Sequence, residues 1–332
     1  MTLVSIVMPA YNAGKFISEA LDSLINQTYK EWECVIVDDG STDDTLQIIT
    51  EYSLKDNRIR FKSIPNSGAA KYPRDLAIAE SHGDWVVFLD ADDILAYDAL
   101  EKLVSRQKLT DADIVLLRME LTDINLHPLN LRIPNDDFNL SITLQGKEAF
   151  LYTINGWRIG FGGALISRTL LFKREDVGNL MCADEYDTRF MLLNAQKVAF
   201  ADALYFYRKT KVSITESFSP KLFDTIKVNI LLCKLIESTF GIESKEYKAV
   251  ISQFVDDLIA KYILLIENKG NLDAVAYNDL LNHIENAYKE AKRKSLAFKK
   301  PIKKYIYSSS FALFTYYVNK RVKKRQSFNK SR

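Results

Sequence analysis

The first 120 residues switch repeatedly between two hydrophobic periods, and this alternation constrains the fold more than any other feature. Residues 4–8 (VSIVM) form a short apolar run ending at Pro9, which reads as a buried strand; over residues 15–26, Ile17, Ala20, Leu21, Leu24 and Ile25 then fall on one helical face. A second apolar run at 34–37 precedes Asp38-Asp39-Gly40-Ser41-Thr42 and a helical stretch over 45–54. Residues 59–64 make a third strand, and a helix begins near Pro73, where proline suits a first turn. Residues 85–89 make a fourth strand, stopped by Asp90-Ala91-Asp92-Asp93; a helix from about Asp98 and a fifth strand at 114–117 follow. Strand–helix–strand units at this spacing dictate crossover connections and a mostly parallel sheet covered on both faces, a Rossmann-like α/β domain.

The polar residues collect where such a sheet binds ligands. Pro9-Ala10-Tyr11-Asn12, Asp38-Asp39, Asn66 and Asp90-Ala91-Asp92 each follow the carboxyl end of a different strand. In an open α/β sheet those ends share one edge, with a crevice outside it. Any one of the acids could simply cap the helix that follows it. Asp90 and Asp92 have a further geometric argument: along an extended segment residues i and i+2 point the same way, so two carboxylates can face one hard cation such as Mn²⁺ or Mg²⁺. A cation there neutralises a diphosphate and stabilises it as a leaving group.

Other chemistries lack their residues. Cys34, Cys182 and Cys233 lie far apart, with no CxxC pair, and His82, His127 and His283 are scattered. Neither GxGxxG nor GxxxxGK[ST] occurs. The N-terminus has no basic region ahead of its apolar run, and no apolar stretch approaches the roughly 18 residues of a membrane span, so a cytoplasmic protein is expected.

Residues 4–11 (VSIVMPAY), Gln27-Thr28-Tyr29, residues 35–45 (VIVDDGSTDDT), residues 66–68, residues 84–93 (DWVVFLDADD) and Tyr207-Arg208 together resemble the inverting GT-A family 2 glycosyltransferases, in family order and spacing over roughly residues 3–215. The resemblance implies a metal-dependent transfer of sugar from a nucleotide-sugar donor, a UDP-sugar, to a hydroxyl of a glycan. It puts Tyr11 against the nucleotide base, Asp39 on uracil, Asp90 near ribose and metal, Asp92 on the metal and Arg74 in the nucleotide site; Pro9, Ala91 and Asn66 belong to the same loops. Where the family has an ARN-like segment, this chain reads Pro73-Arg74-Asp75. The general base is expected in an acidic pair just before a helix, here Asp184, with Glu185 as the substitute and Asp187 third; the other reading is that these acids merely suit a helix N-terminus. Arg208, with Ser213 beyond it, is expected to meet the charge developing on the diphosphate, or else to be an ordinary exposed cation. Trp157 and Arg158, beside Gly160-Phe161-Gly162-Gly163, either line the acceptor site or belong to a plain loop.

Charge divides the chain. Residues 291–332 hold 14 Lys or Arg and no Asp or Glu, whereas the preceding 290 residues carry 31 basic and 43 acidic side chains. In this arm the charges interleave with aromatic and aliphatic residues, as in amphipathic segments lying on anionic membranes. The expected organisation is a GT-A domain over 1–220, a helical extension over 221–290 and a membrane-associating arm over 291–332. The enzyme would rest peripherally on the inner face of the cell membrane and extend a lipid-linked oligosaccharide for surface polysaccharide, without a nucleic-acid partner. Two alternatives predict different behaviour: a degenerate transferase serving as a membrane-bound scaffold, which binds nucleotide without turnover, and a phosphotransferase using Asp90 as nucleophile.

Overall fold

The computed structural model describes residues 2–154, 156–210, 218–295 and 310–330. Ser213 and the stretch of the basic arm over 296–309 lie outside these. The chain divides into two compact units, Met1–Ser213 and Ile214–Arg332.

The first unit alternates as its hydrophobic periods require: β1 (Val4–Ala10), α1 (Ile17–Ile25), β2 (Trp32–Asp38), α2 (Thr45–Lys55), β3 (Ile59–Ser63), α3 (Lys71–Glu80) and β4 (Trp85–Phe88). There follow β5 (Ile94–Leu95), α4 (Ala99–Thr110), β6 (Ile114–Thr122), β7 (Pro128–Ile133), β8 (Thr143–Leu144), α5 (Gly146–Leu151), β9 (Leu165–Ser167), α6 (Arg168–Phe172), α7 (Ala183–Asn194) and β10 (Val198–Arg208). The main sheet path runs β3-β2-β1-β4-β9-β6-β10-β5. Its principal strands are parallel: β1 pairs with β2 and β4, β2 with β3, and β6 with β10, while the three-residue β9 joins β4 to β6 antiparallel. The register places Ala10 opposite Asp38 and Asp38 opposite Ser63, so the carboxyl ends of β1, β2 and β3 lie side by side. Beneath α1 and α4 the core is aliphatic, with Ile6, Met8, Leu21, Ile36, Leu100 and Leu117 all buried.

The structure departs from the sequence reading at definite places. Residues 128–133, beyond the last of the five strands expected from the sequence, form β7 against β6, with an almost wholly exposed burial pattern. Strand β10 follows α7 where no strand is expected, and α7 starts at Ala183, so Asp184 and Glu185 stand inside its first turn rather than before it.

At the opposite, amino-terminal edge of the sheet a charged knot closes the fold. Glu33 accepts from Ser5 Oγ (2.7 Å), the His82 amide (2.5 Å) and Arg60 Nη2 (2.7 Å). Burial opposes its charge, but these donors outweigh burial and hold its carboxyl down at about 2, against an ordinary 4.5. A depressed carboxylate stabilises the fold above its unfolded pKa and loses that contribution as pH falls from 4.5 towards 2. Allowing for solvent screening at its exposed partners, this is worth about 2 kcal/mol. Glu33→Gln should therefore cost about 2 kcal/mol at pH 7 and less at pH 3 in urea titrations; an equal loss at both pH values would show that the charge is not what matters.

The second unit is helical: a 3₁₀ turn at Pro220–Phe223, then α8 (Asp224–Phe240), α9 (Lys245–Glu267), α10 (Ala274–Ser295) and α11 (Phe311–Lys330). Ser244 caps α9 by accepting from the Tyr247 amide at 3.1 Å. Helix α11 buries Phe314, Val318 and Val322, one residue per turn, and turns Leu313, Tyr316 and Tyr317 outward. Among the described residues no helix is long and apolar enough to cross a membrane.

Candidate active site

The site is built on the loops leaving β1, β2, β3 and β4. The first two lock each other. Asn12, held at φ 48°, accepts from the Thr42 amide (2.8 Å) and its own amide donates to Ser41 Oγ (2.9 Å); the Gly14 amide donates to Asp43 Oδ2 (3.0 Å). Asp38 is spent on structure, accepting from Ser63 Oγ at 2.8 Å and the Ser41 amide at 3.2 Å. Gly40 makes the turn at φ +71°, where a Cβ would come within 2.7 Å of the Asn66 nitrogen. Pro9 sits within β1, and Tyr11 just beyond it exposes 45% of its surface.

Asp39 is placed deeper than a base-contacting acid need be, at 4% exposure. Its two oxygens accept from the Ser67 amide (2.7 Å) and Ser67 Oγ (3.0 Å), while Asn66 Nδ2 donates to the Asp39 carbonyl. Asn179, in the segment between α6 and α7, donates to the Ser67 carbonyl (2.9 Å) and accepts from the Tyr72 amide (3.1 Å). Sequence reasoning missed Ser67 and Asn179. A serine after an asparagine in a turn is a weak signal, and the Asn179 contact spans 112 residues.

The acids of the β4 loop divide their labour. Asp90 meets Arg74 Nη2 at 3.1 Å. Burial and then the Asp90 charge push Asp92 up to about 6; Ala91 between them is buried. Asp93, which the sequence reading left unassigned, is fully engaged: it accepts from Tyr205 Oη (2.6 Å) and the Arg208 amide (2.8 Å). Burial, with Asp90 and Asp92 nearby, raises its pKa well above the carboxylate range. The carboxylate crowding that raises Asp92 is what a divalent cation relieves, and Asp90 and Asp92 are the hard oxygen donors that Mn²⁺ or Mg²⁺ favours. Among the described residues no three His, Cys, Asp or Glu side chains converge as a ready-made cage. The pair therefore suits a cation that draws its other ligands from water and phosphate oxygens.

Arg208 corrects the expectation of an open cation facing the diphosphate. Only 3% exposed, its guanidinium donates to Glu19 Oε2 (2.6 Å) and the Ile124 carbonyl (3.1 Å) and lies 4.7 Å from the Phe16 ring centre. Glu19 on α1 neutralises it, so Arg208 acts here as a brace whose amide holds Asp93.

Arg74 is the cation turned towards the site. Burial works against its charge, but Asp90 and Asp184 outweigh burial and raise its pKa, and its Nε has no hydrogen-bond partner. Asp184 keeps exposed surface, but desolvation by the protein packed around its carboxyl raises its pKa; Arg74 offsets part of that rise, while Glu185 and Asp90 add to it. Glu185 is committed: it accepts from Trp157 Nε1 (3.3 Å) and pairs with Arg189, which lies over the Trp157 ring. Trp157 thus stands beside the acidic pair, whereas Arg158 packs over the Tyr152 ring.

Asp187 does structural work. Its Oδ2 meets Arg174 Nη1 (2.7 Å) and Lys71 Nζ (3.4 Å), and both cations also reach Asp75, at 2.9 and 2.6 Å. Asp75 stands where the family's ARN-like segment has asparagine, as Pro73 stands in place of its alanine, and this ion network absorbs the Asp75 charge.

Residues 5–172 match the family described as Glycosyl transferase family 2, half of the chain, and the protein belongs to that family. Its fold is the GT-A fold: a solved structure of Staphylococcus aureus TarS 1-349 in complex with UDP-GlcNAc superimposes with a TM-score of 0.60 over 89% of this chain and 83% of that one, at 21% identity. Mannosyltransferase PcManGT from Pyrobaculum calidifontis, in complex with GDP-Man and Mn²⁺, gives 0.50 over 90% and 88%, at 17% identity. In sequence the chain is 28% identical over 244 residues to glycosyltransferase GlyG of Streptococcus pneumoniae serotype 4, covering 68% of this chain and 81% of GlyG. It is 30% identical over 214 residues to the S. aureus poly(ribitol-phosphate) beta-N-acetylglucosaminyltransferase TarS, covering 62% of this chain and 35% of TarS. The family match ends before α7 and β10, so Asp184, Glu185 and Arg208 lie beyond it.

Proposed function

We propose that this glycosyltransferase moves a sugar from a UDP-linked donor to a hydroxyl of a glycan, with inversion at the anomeric carbon. The observation that carries the reading is the placement of Arg74: it grips Asp90 of the β4 loop and lies within electrostatic reach of Asp184 at the start of α7. A cation between a donor-side acid and an acceptor-side acid suits in-line displacement. Tyr11 offers a ring for the base, and Asp39, whose oxygens retain lone pairs beyond those given to Ser67, can accept from a base N–H. Pro9, Asn66 and Ala91 shape the same loops. Asp184 takes the proton of the attacking hydroxyl, whose oxygen bonds to the anomeric carbon as the carbon–oxygen bond to the nucleoside diphosphate breaks on the far side. An α-linked donor gives a β-linked product. Mn²⁺ or Mg²⁺, held by Asp90 and Asp92, would supply charge neutralisation on the diphosphate. Arg208 contributes by fixing Asp93, and hence the loop.

The acceptor in this reading is a lipid-linked oligosaccharide of surface polysaccharide assembly. Relatives with wall-polymer names, TarS and the putative teichuronic acid biosynthesis protein TuaG of Bacillus subtilis, support it. The outward aromatics of α11, in a segment rich in lysine and arginine, support docking at an anionic membrane surface on the cytoplasmic side.

A thermal-shift panel of UDP-, GDP-, CMP- and dTDP-sugars, each with Mn²⁺ and with EDTA, tests the donor assignment. Binding at a hundredfold excess over the dissociation constant contributes about 2.7 kcal/mol. We expect a metal-dependent shift with UDP-sugars that Asp92→Ala removes. A UDP-sugar shift that survives both EDTA and Asp92→Ala would reject the metal site, and no shift with any donor would reject the nucleotide site.

A further inference from the structure

The Gln27-Thr28-Tyr29 segment, part of the family pattern, takes no part in the site above. Gln27 is fully buried, and its side chain is saturated: Nε2 donates to the carbonyls of Ser23 (2.9 Å) and Ala96 (2.8 Å), and Oε1 accepts from the Leu100 amide (3.1 Å). The Thr28 amide donates to the Tyr97 carbonyl (2.9 Å), and Thr28 Oγ1 donates to Glu101 (2.7 Å). These bonds fix the turn between β5 and α4 and display one residue, Tyr97, with 66% of its surface exposed. The held turn presents a ring with an apolar face and a polar tip to solvent, the form in which tyrosine serves at binding surfaces.

Tyr97 edges a cleft of about 770 Å³, a volume typical of ligand sites, at the margin of the sheet where β10 meets β5. Phe206 of β10 forms part of the wall. The Asn26 amide and the Asp202 carboxylate also line it, and among the described residues neither takes a hydrogen bond from the chain with its side chain. The ionised lining is balanced, with Lys102, Arg118 and Arg132 against Asp98, Asp136 and Asp202. An anion or a cation would find no net field here. A neutral polyhydroxyl chain would find a ring for the C–H face of a sugar and planar donors and acceptors for its hydroxyls. Phe206 stands two residues before Arg208 on the same strand, so the cleft begins only about 7 Å along β10 from the residues that brace the Asp90–Asp93 loop.

We propose that this cleft is a second glycan site, separate from the transfer site, which holds a neutral oligosaccharide stretch of the acceptor through Tyr97. The proposal rests on the reading of the protein as a glycan-extending transferase. Cellotetraose, chitotetraose and maltotetraose, titrated against the full chain by ligand-observed NMR and calorimetry, test it, with poly(ribitol phosphate) as the anionic comparison. At least one neutral tetrasaccharide should bind. Its affinity should fall tenfold or more in Tyr97→Ala and about threefold in Asp202→Asn, and survive in Tyr97→Phe, while the UDP-sugar thermal shift stays at the wild-type value in all three. Failure of every neutral tetrasaccharide to bind, equal affinity in Tyr97→Ala, or preference for poly(ribitol phosphate) would each overturn it. A glycan bound through Tyr97 with no nucleotide-sugar shift would leave this site standing and remove the donor assignment instead.

Discussion

Asp184→Asn is expected to cut sugar transfer by about 10²–10⁴-fold while leaving the UDP-sugar thermal shift intact, because the amide keeps the shape of the carboxylate and cannot take a proton. Glu185→Gln should cost far less, since that carboxylate is already engaged by Trp157 and Arg189 and serves to orient them. The two variants separate the two acids of the pair, and a larger loss in Glu185→Gln would reverse the assignment. The raised pKa of Asp184 adds a signature in pH. A base works only when deprotonated, so kcat/KM should fall on the acid side at a pH above that of an ordinary aspartate. In Arg74→Gln, which removes the charge that offsets the rise, that limb should move to still higher pH. An acid limb that stays put in Arg74→Gln would separate Asp184 from the proton transfer.

Asp187→Ala should destabilise the first unit by about 3 kcal/mol in denaturant titrations. Removing one partner leaves Arg174 and Lys71, both more than nine-tenths buried, short of negative charge, and the cost of breaking such buried pairs runs to about 3–5 kcal/mol. The low end applies because Asp75 still meets both cations. Asp187 Oδ1 is already buried without a partner, so Asp187→Asn has little to gain from its new amide donor, and we expect it to be nearly as damaging. A loss below about 1 kcal/mol would mean that solvent reaches the network and screens it.

The half of the fold nearest the amino terminus was legible because its elements are long and strictly periodic. Strands β1 and β2 are continuous apolar runs, and α1 repeats its buried residues at helical spacing. Strand β9 has three residues and β10 mixes alanines with Asp202, so neither carries a pattern that local reasoning separates from loop; in β7, Leu129, Leu131 and Ile133 do alternate with Asn130 and Arg132, but the strand buries almost nothing. The same divide runs through the site. The polar clusters after the strands could be placed on one edge because topology alone puts them there. The fate of Arg208 could not be read, since Glu19, which neutralises it, lies 189 residues away. Nor could the burial of Asp39 beneath Ser67, which depends on how the β3 loop folds back. Sequence named the residues that gather at the edge; only the packed structure tells which of them face the opening.

The grip of β10 on Asp93 bears on the order in which the molecule can be assembled. The bonds from Tyr205 and the Arg208 amide close chain segments of 112 and 115 residues, so Asp93, at the end of the loop bearing Asp90 and Asp92, cannot be held until the far end of the unit has returned. A ribosome that has released only the family-matching segment has made every β4-loop acid, and Arg74 to meet Asp90, but neither of the groups that hold Asp93. Nucleotide affinity should therefore appear late and all at once. Shortening the chain to its recognisable half would leave a buried acid without its donors, and with it no competent site.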